Sequence, residues 1–262
     1  MVEIVDNIID DALKTHFYTK GYVVLSDFLH DKDLELIERR VNYQAPDQSL
    51  RQQYNQSTDS KRYEYSLSRP VLAEVLGKRR LREGEREEGG EETAAALGQE
   101  HGLFHVEPMT RVAAALCPQL RPAESFCIVS EAGSQDQPEH TDSIPNDDTQ
   151  TLEEWQSALT YIGMLTPLQD VDAAYGQTAL LPGSHTDPTT TEELRLSLRR
   201  GDVLVLDGRT VHRGLANSST DPSRPPRKMC FFTYTLPGIV DGNAAAYGDD
   251  NYVSPERNST EE

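Results

Sequence analysis

The apolar residues near the start of the chain recur with helical spacing in two places. Those between Asp6 and Gly21 are four residues apart: Ile9, Leu13 and Phe17. Because residues four apart share one face of a helix, the pattern predicts a helix capped by the aspartate and ended by the glycine. A short apolar strand is predicted at 22–25, and Asp31 begins a second helix. The apolar face of that helix is Leu34, Ile37 and Val41.

The second half of the chain has a different pattern, a series of short apolar runs separated by turn residues. After a predicted helix at 109–116, strands are predicted at 126–130, 157–165, 177–181, 203–206 and 228–234. Three leucines that alternate with polar residues indicate a further half-buried strand: Leu194, Leu196 and Leu198. Many short strands in succession are typical of a sandwich or barrel. The predicted fold class is therefore mainly β with flanking helices.

The length and the local composition predict the domain organisation. A chain of 262 residues is long enough for one large domain, and we expect that domain to span 1–246. Residues 78–102 are rich in charge and contain almost no aromatic or β-branched residues, so we expect a flexible insertion there. Residues 247–262 form a polar, acidic tail.

The net charge of the chain restricts the classes of partner that it is expected to bind. The formal net charge is -19, and binding to nucleic acid or to an anionic membrane depends on lysine and arginine, so neither partner is expected. Cys117, Cys127 and Cys230 have no paired spacing, which favours a reducing compartment. No basic segment followed by an apolar core is present near the start, and no apolar run approaches 18 residues, so the expected location is the cytoplasm. The sequence leaves the oligomeric state open.

A His-x-Asp triplet, His140 to Asp142, is the main candidate for chemistry. On a strand, residues two apart point to the same side, so this triplet would present an imidazole and a carboxylate together. His212 lies seventy residues after the aspartate, and a distant strand could supply it as a third ligand. Two histidines and one carboxylate are the ligand set of non-haem Fe(II) sites, which leave positions open for substrate and dioxygen.

Two other groups of residues compete with this triplet. His185 and Asp187 repeat the same three letters, but Pro-Gly-Ser precedes them and a proline follows, which predicts a loop. They also lie too close to His212 for most of a sandwich to intervene. His101, His105 and Glu107 form a third candidate cluster, with no matching ligand pair nearby.

Several segments resemble one enzyme family. They are GYVVLSDFL near the start, the HTD triplet, ALTYIGMLTPLQDVDAAYGQTALLPGSH, GDVLVLDGRTVHRGLANSS and RKMCFFTY. In this order they resemble the phytanoyl-CoA dioxygenase family of Fe(II)- and 2-oxoglutarate-dependent oxygenases. The resemblance covers most of the chain outside the insertion and the tail. It implies a double-stranded β-helix, the squashed barrel of the jelly-roll or cupin type, with iron inside one end.

The resemblance also implies the roles of individual residues. His140, Asp142 and His212 would be the catalytic iron ligands, with 2-oxoglutarate and dioxygen as cosubstrates. Arg227, at the start of the last core strand, would bind the distal carboxylate of 2-oxoglutarate, because a guanidinium holds a carboxylate through two parallel hydrogen bonds. Arg224 is the second choice, since it precedes a proline and should lie outside the strand ladder.

Some positions depart from the family pattern. Gly214 stands two residues after the distal histidine, where the family often has a serine that touches the cosubstrate, and Thr141 stands where glutamine is usual. Asn217 and Ser219 match the Asn-x-Ser that usually follows in the family. Four side chains are candidates for lining the pocket: Tyr161, Tyr175, Arg213 and Phe231.

The expected function is oxidation of a C–H bond in a small organic substrate, with release of succinate and carbon dioxide. Two alternatives stay open. One is a peptidyl or protein hydroxylase of the same fold, which needs an open groove. The other is a non-catalytic metal-binding β-sandwich.

Overall fold

The structure, a computed structural model, describes residues 8–44, 52–53, 61–67, 104–143, 155 and 157–237. The insertion predicted at 78–102 and the tail predicted at 247–262 lie outside the described residues. No helix within the described ranges has the length and apolar character needed to cross a membrane.

Three helices lie where helical spacing predicted them, and they are α1 (Asp11–Lys20), α2 (Asp31–Gln44) and α3 (Glu107–Leu116). The predicted cap of α1 was wrong. Asp10 rather than Asp6 is the N-cap, because its carboxylate accepts the Leu13 backbone N–H at 2.8 Å. The predicted end of this helix is confirmed. Gly21 has a φ of 77° and its N–H donates to the carbonyl of Phe17, a C-terminal arrangement that favours glycine.

The strands form two antiparallel sheets in the described part of the chain. They are β1 (Tyr22–Leu25), β2 (Gln52–Gln53), β3 (Arg62–Ser66), β4 (Arg121–Ser130), β5 (Tyr161–Pro167), β6 (Thr178–Leu180), β7 (Leu194–Leu196), β8 (Val203–Asp207), β9 (His212–Gly214) and β10 (Arg227–Thr235). The major sheet has seven strands in the order β1-β8-β5-β10-β4-β3-β2. The minor sheet has three strands in the order β7-β6-β9. The prediction of a mainly β protein with flanking helices is confirmed.

The two faces of the major sheet bury different sets of side chains. Cys230 and Phe232 of β10 belong to the hydrophobic cluster that contains the apolar faces of the helices. Met229 and Phe231 belong to a second cluster, together with leucines of the minor sheet. Because successive residues of a strand point to opposite faces, β10 separates a helix-covered layer from a layer between the sheets. In either layer, burial of one large apolar side chain contributes about 1.5–3 kcal/mol to the free energy of folding.

Strand β3 was not predicted. Two of its buried residues are charged, Arg62 and Glu64, so the segment shows no apolar run. It forms because β4 offers a free edge, and residues from Arg62 to Ser66 pair with Ser130 to Phe126 in antiparallel register. This pairing places Arg62 beside Ser130, which in turn lies opposite Arg227.

Candidate metal centre

The layer between the two sheets contains a cluster of metal-ligating side chains. His140, Asp142 and His212 each direct a ligand atom to a common point, and these atoms all lie within 4.8 Å of one another. The Nε2 atoms of the two histidines lie 3.8 Å and 3.6 Å from the carboxylate oxygens of Asp142. Asp142 and His212 are 8% and 6% exposed. It is the only such cluster within the described residues.

The triplet is held differently from what its spacing predicted. His140 forms an isolated bridge with His212, in which each backbone N–H donates to the other residue's carbonyl at 3.0 and 2.9 Å. The prediction that the triplet lies on a strand was therefore wrong. Pro138 has no N–H to extend the ladder on one side, and on the other side the N–H of Asp142 turns away to the carbonyl of Gly208. The side chains still converge because β9 supplies the bridge and the Gly208 turn fixes the bend.

The hydrogen bonds of both imidazoles select the tautomer that a metal needs. The Nδ1 atoms lie 2.9 Å from the carbonyl oxygen of Pro138 in His140 and 3.0 Å from that of Thr210 in His212. A carbonyl oxygen only accepts, so each Nδ1 carries the proton and each Nε2 presents its lone pair to the cluster. Burial, and then the neighbouring His212, lowers the pKa of His140 to about 4, so this ring is neutral at neutral pH.

This donor set fits a divalent cation. Oδ2 of Asp142 is buried, and among the described residues no hydrogen-bond donor reaches it. A buried carboxylate oxygen that faces two unprotonated nitrogens is unfavourable on its own, and a cation at the common point removes the repulsion. Two imidazoles and one carboxylate with open positions beside them are the donor set suited to non-haem Fe(II).

A cavity opens beside the cluster. It is lined by Ile128, Gln137, His140, Asp142, Leu165, Thr178, His212, Gly214, Arg227, Met229 and Phe231. Of the four side chains expected to line the pocket, Phe231 does so, whereas Tyr161, Tyr175 and Arg213 lie outside this lining.

Arg227 lies on the cavity wall at the start of β10. It is 4% exposed and shares the inner face with Met229 and Phe231. Its guanidinium donates to the carbonyl oxygen of Gly176 and, at 3.0 Å, to the hydroxyl of Ser130. These contacts fix the orientation of the buried, positively charged guanidinium in the same cavity as the metal-ligating side chains.

Arg224 lies elsewhere. Its guanidinium donates to both carboxylate oxygens of Asp172, at 3.1 and 2.6 Å, and stacks over the ring of Tyr175 at 4.7 Å. The hydrogen bond from Arg224 lowers the pKa of Asp172 to about 2. Arg224 is therefore occupied by a surface ion pair outside the cavity lining.

His105 and His185, the competing histidines that the structure describes, belong to no metal cluster, and His101 lies outside the described residues. His185 is buried with its Nε2 3.1 Å from the carbonyl oxygen of Tyr18, whereas Asp187 is exposed and accepts hydrogen bonds from Thr189. The second triplet thus turns its two side chains apart, as expected for a loop. His105 packs against the rings of Phe232 and Tyr234 in the helix-covered layer, and burial lowers its pKa to about 4.

Two residues of the site were not anticipated from the sequence, Gln137 and Arg62. Gln137 lies three residues before the first histidine, and its side chain lines the cavity. Arg62 is fully buried and donates to the carbonyls of Gly214 and Leu215 at 3.0 and 2.9 Å, which fixes the chain beyond β9. The only signal of Gln137 was indirect, namely the missing side chain at Gly214. Asn217, which matched the family, has a structural role, since its amide donates to the carbonyl of Ser130.

The fold and the cluster together define a class of protein, the β-sheet oxygenases that bind iron through two histidines and a carboxylate. A family profile described as phytanoyl-CoA dioxygenase (PhyH) matches residues 17–225. The chain belongs to this family and is a non-haem iron, 2-oxoglutarate-dependent oxygenase. A search of curated proteins found no significant match.

Several solved structures have the same fold. The 2-oxoglutarate (α-ketoglutarate) dependent carbocyclase SnoK from nogalamycin biosynthesis is 15% identical, with 94% of this chain and 93% of that chain covered and a TM-score of 0.59. HygX from Streptomyces hygroscopicus, with nickel, 2-oxoglutarate and hygromycin B bound, is 14% identical over 89% of this chain and 90% of its own, with a TM-score of 0.56. EctD from S. alaskensis with bound Fe is 18% identical over 90% and 79%, with a TM-score of 0.55. At these identities the likeness establishes a shared fold.

Proposed function

We propose that His140, Asp142 and His212 hold Fe(II), and that the protein uses 2-oxoglutarate and dioxygen to oxidise a C–H bond of a small organic substrate. The observation that carries this proposal is the convergence of the two Nε2 lone pairs and the Asp142 carboxylate within 4.8 Å. Three protein ligands on one side leave positions on the opposite side for other molecules. When bound, the iron supplies dioxygen activation coupled to the conversion of 2-oxoglutarate to succinate and carbon dioxide.

The chain's own residues would bind and orient the cosubstrate. Arg227 would hold the distal carboxylate, and this role is supported by its buried guanidinium, which lies on the cavity wall and is oriented by Ser130 and the Gly176 carbonyl. Hydrogen bonds between a guanidinium and a carboxylate are charge-assisted and about twice as strong as neutral ones. The apolar residues Ile128, Leu165 and Met229 would exclude water from the same space.

The proposed fold is the double-stranded β-helix, in which the major and minor sheets are the two sides of a squashed barrel. The layer between the sheets, with the metal cluster and Arg227, supports this arrangement. A small organic substrate is favoured because the cavity lies between the two sheets and is lined by residues of both. Structures of the same fold also include a nogalamycin-pathway epimerase with nogalamycin RO bound and HygX with hygromycin B bound.

Succinate release tests the proposed reaction. Aerobic protein with Fe(II) and 2-oxoglutarate should form succinate, and a library of small organic compounds should contain members that raise the rate at least tenfold. Removal of iron with a chelator should stop succinate formation, and added Fe(II) should restore it. Equal rates with and without iron in folded protein would contradict the reaction, whereas acceleration only by peptides would contradict the substrate class.

A further inference from the structure

Gly214 and Gln137 share one part of the cavity wall. The backbone N–H of Gln137 donates to the carbonyl of Gly214 at 2.9 Å, and the N–H of Gly214 donates to Oε1 of Gln137 at 2.6 Å. A Cβ added at Gly214 would lie 2.4 Å from Oε1 of Gln137. The glutamine side chain therefore occupies the space that a larger residue at position 214 would need.

The orientation of the Gln137 amide follows from these contacts. Because the N–H of Gly214 can only donate, the oxygen of the amide must face it, and the NH₂ group faces the other way. The side chain is 6% exposed and lines the cavity. Its Nε2 is buried, and among the described residues no acceptor lies within hydrogen-bond distance of it. A buried amide donor without an acceptor is unfavourable, so a molecule bound in the cavity is expected to supply the acceptor.

The charges around the cavity indicate what kind of acceptor this is. Its described lining carries one guanidinium, one carboxylate and two imidazoles with free Nε2 atoms. The charges of Arg227 and Asp142 offset each other. A bound divalent metal therefore leaves the cavity with a net positive charge, which suits a dianion. A carboxylate oxygen is also the acceptor that forms the strongest hydrogen bond with a neutral amide N–H.

We propose that Gln137 is a cosubstrate-binding residue whose amide N–H donates to a carboxylate oxygen of 2-oxoglutarate. A side chain at position 214 would collide with Gln137 at 2.4 Å and with the guanidinium of Arg62 at 2.9 Å, so glycine at this position leaves Gln137 its place on the cavity wall. This inference rests on the proposed function, since it requires a metal-bound 2-oxo acid in the cavity.

Calorimetric binding of 2-oxoglutarate to the Mn(II)-loaded protein tests the donor role without turnover. Gln137→Glu keeps the size of the side chain and the oxygen that Gly214 needs, but it replaces the donor with a carboxylate. The Kd for 2-oxoglutarate should rise by a factor of about 10 to 100, the effect of losing a hydrogen bond to a charged group. Binding of Mn(II) alone should be no weaker than in the wild type, since the substitution adds a negative charge to the cavity and removes none of the three ligands. The matched control is Gln135→Glu, an exposed position on the same loop with the same change of charge, which should leave the Kd unchanged.

Substitutions at positions 214 and 137, made singly and together, give a second test that does not depend on one variant. Gly214→Ser alone should weaken 2-oxoglutarate binding, because its Cβ collides with Gln137. Adding Gln137→Ala removes this collision and leaves the serine hydroxyl as the donor, while the contact of the Cβ with the Arg62 guanidinium at 2.9 Å is present in both serine variants. The double variant should therefore bind more tightly than Gly214→Ser. Wild-type affinity in Gln137→Glu, or a double variant no better than Gly214→Ser, would overturn the inference. Wild-type protein that binds Mn(II) but not 2-oxoglutarate would instead contradict the proposed function.

Discussion

Replacing Asp142 with alanine is expected to reduce Fe(II)-dependent succinate formation to the background rate. The carboxylate is one of three converging ligands, and its two oxygens face the Nε2 atoms of His140 and His212 at 3.8 and 3.6 Å. Loss of residues that only orient metal ligands lowers affinity or activity by about 10- to 100-fold, so loss of a ligand should cost at least about 100-fold. The measurement is the initial rate of succinate release at saturating 2-oxoglutarate.

Asp187→Ala is the matched control, because it makes the same change in the second His-x-Asp triplet. Asp187 is exposed and its carboxylate accepts its described hydrogen bonds from Thr189, so the rate should stay within about twofold of wild type. Thermal unfolding of the metal-free proteins should show that Asp142→Ala folds, since it removes a buried charge that lacks a hydrogen-bond donor at Oδ2. Comparable loss in both variants, or an active Asp142→Ala, would contradict the assignment of the ligands.

Replacing Arg227 with glutamine should raise the Kd for 2-oxoglutarate by at least about 100-fold, because two charge-assisted hydrogen bonds are lost. Arg227→Lys keeps the charge without the planar fork and should fall between this variant and wild type. Calorimetry on the Mn(II)-loaded protein measures both. Mn(II) affinity should not change, because the guanidinium is not one of the ligand groups.

Arg224→Gln separates the two arginines that the sequence left in competition. Arg224 lies against Asp172 and the ring of Tyr175, outside the cavity lining, so its replacement should leave the Kd within about twofold of wild type. A large loss in Arg224→Gln with a small one in Arg227→Gln would reverse the assignment. Arg227 also bonds to Gly176 and Ser130, so a thermal unfolding curve for Arg227→Gln distinguishes weak binding from loss of the fold.

The apolar elements of the fold were predictable because burial on a regular element leaves a periodic trace. Strand Tyr22–Leu25 and the start of the helix at Asp31 lie where the pattern placed them. Strand Arg62–Ser66 left no such trace, because two of its buried residues, Arg62 and Glu64, are charged, and Arg62 is bonded to carbonyls more than 150 residues away. The start of the first helix was predicted too early because two nearby aspartates, Asp6 and Asp10, can both act as an N-cap, and the pattern does not distinguish them.

The site was predictable to a similar extent. Spacing and chain order singled out His140, Asp142 and His212, and the structure brings them together, although through an isolated bridge rather than a strand. Pro138 was the sign that the strand would be interrupted. Gln137 could not be identified in this way, since its position depends on a backbone contact with Gly214, seventy-seven residues away. A glycine at that position indicates only a missing side chain, not which residue fills the space.

Anaerobic spectroscopy tests the central claim most directly, because it reports metal and cosubstrate in one complex. Fe(II) followed by 2-oxoglutarate should produce a visible metal-to-ligand charge-transfer band in the wild-type protein, saturating at one iron per chain. The band should be absent when either component is omitted. Folded wild-type protein that shows no band with both components at saturation would contradict the assignment of an Fe(II) and 2-oxoglutarate centre.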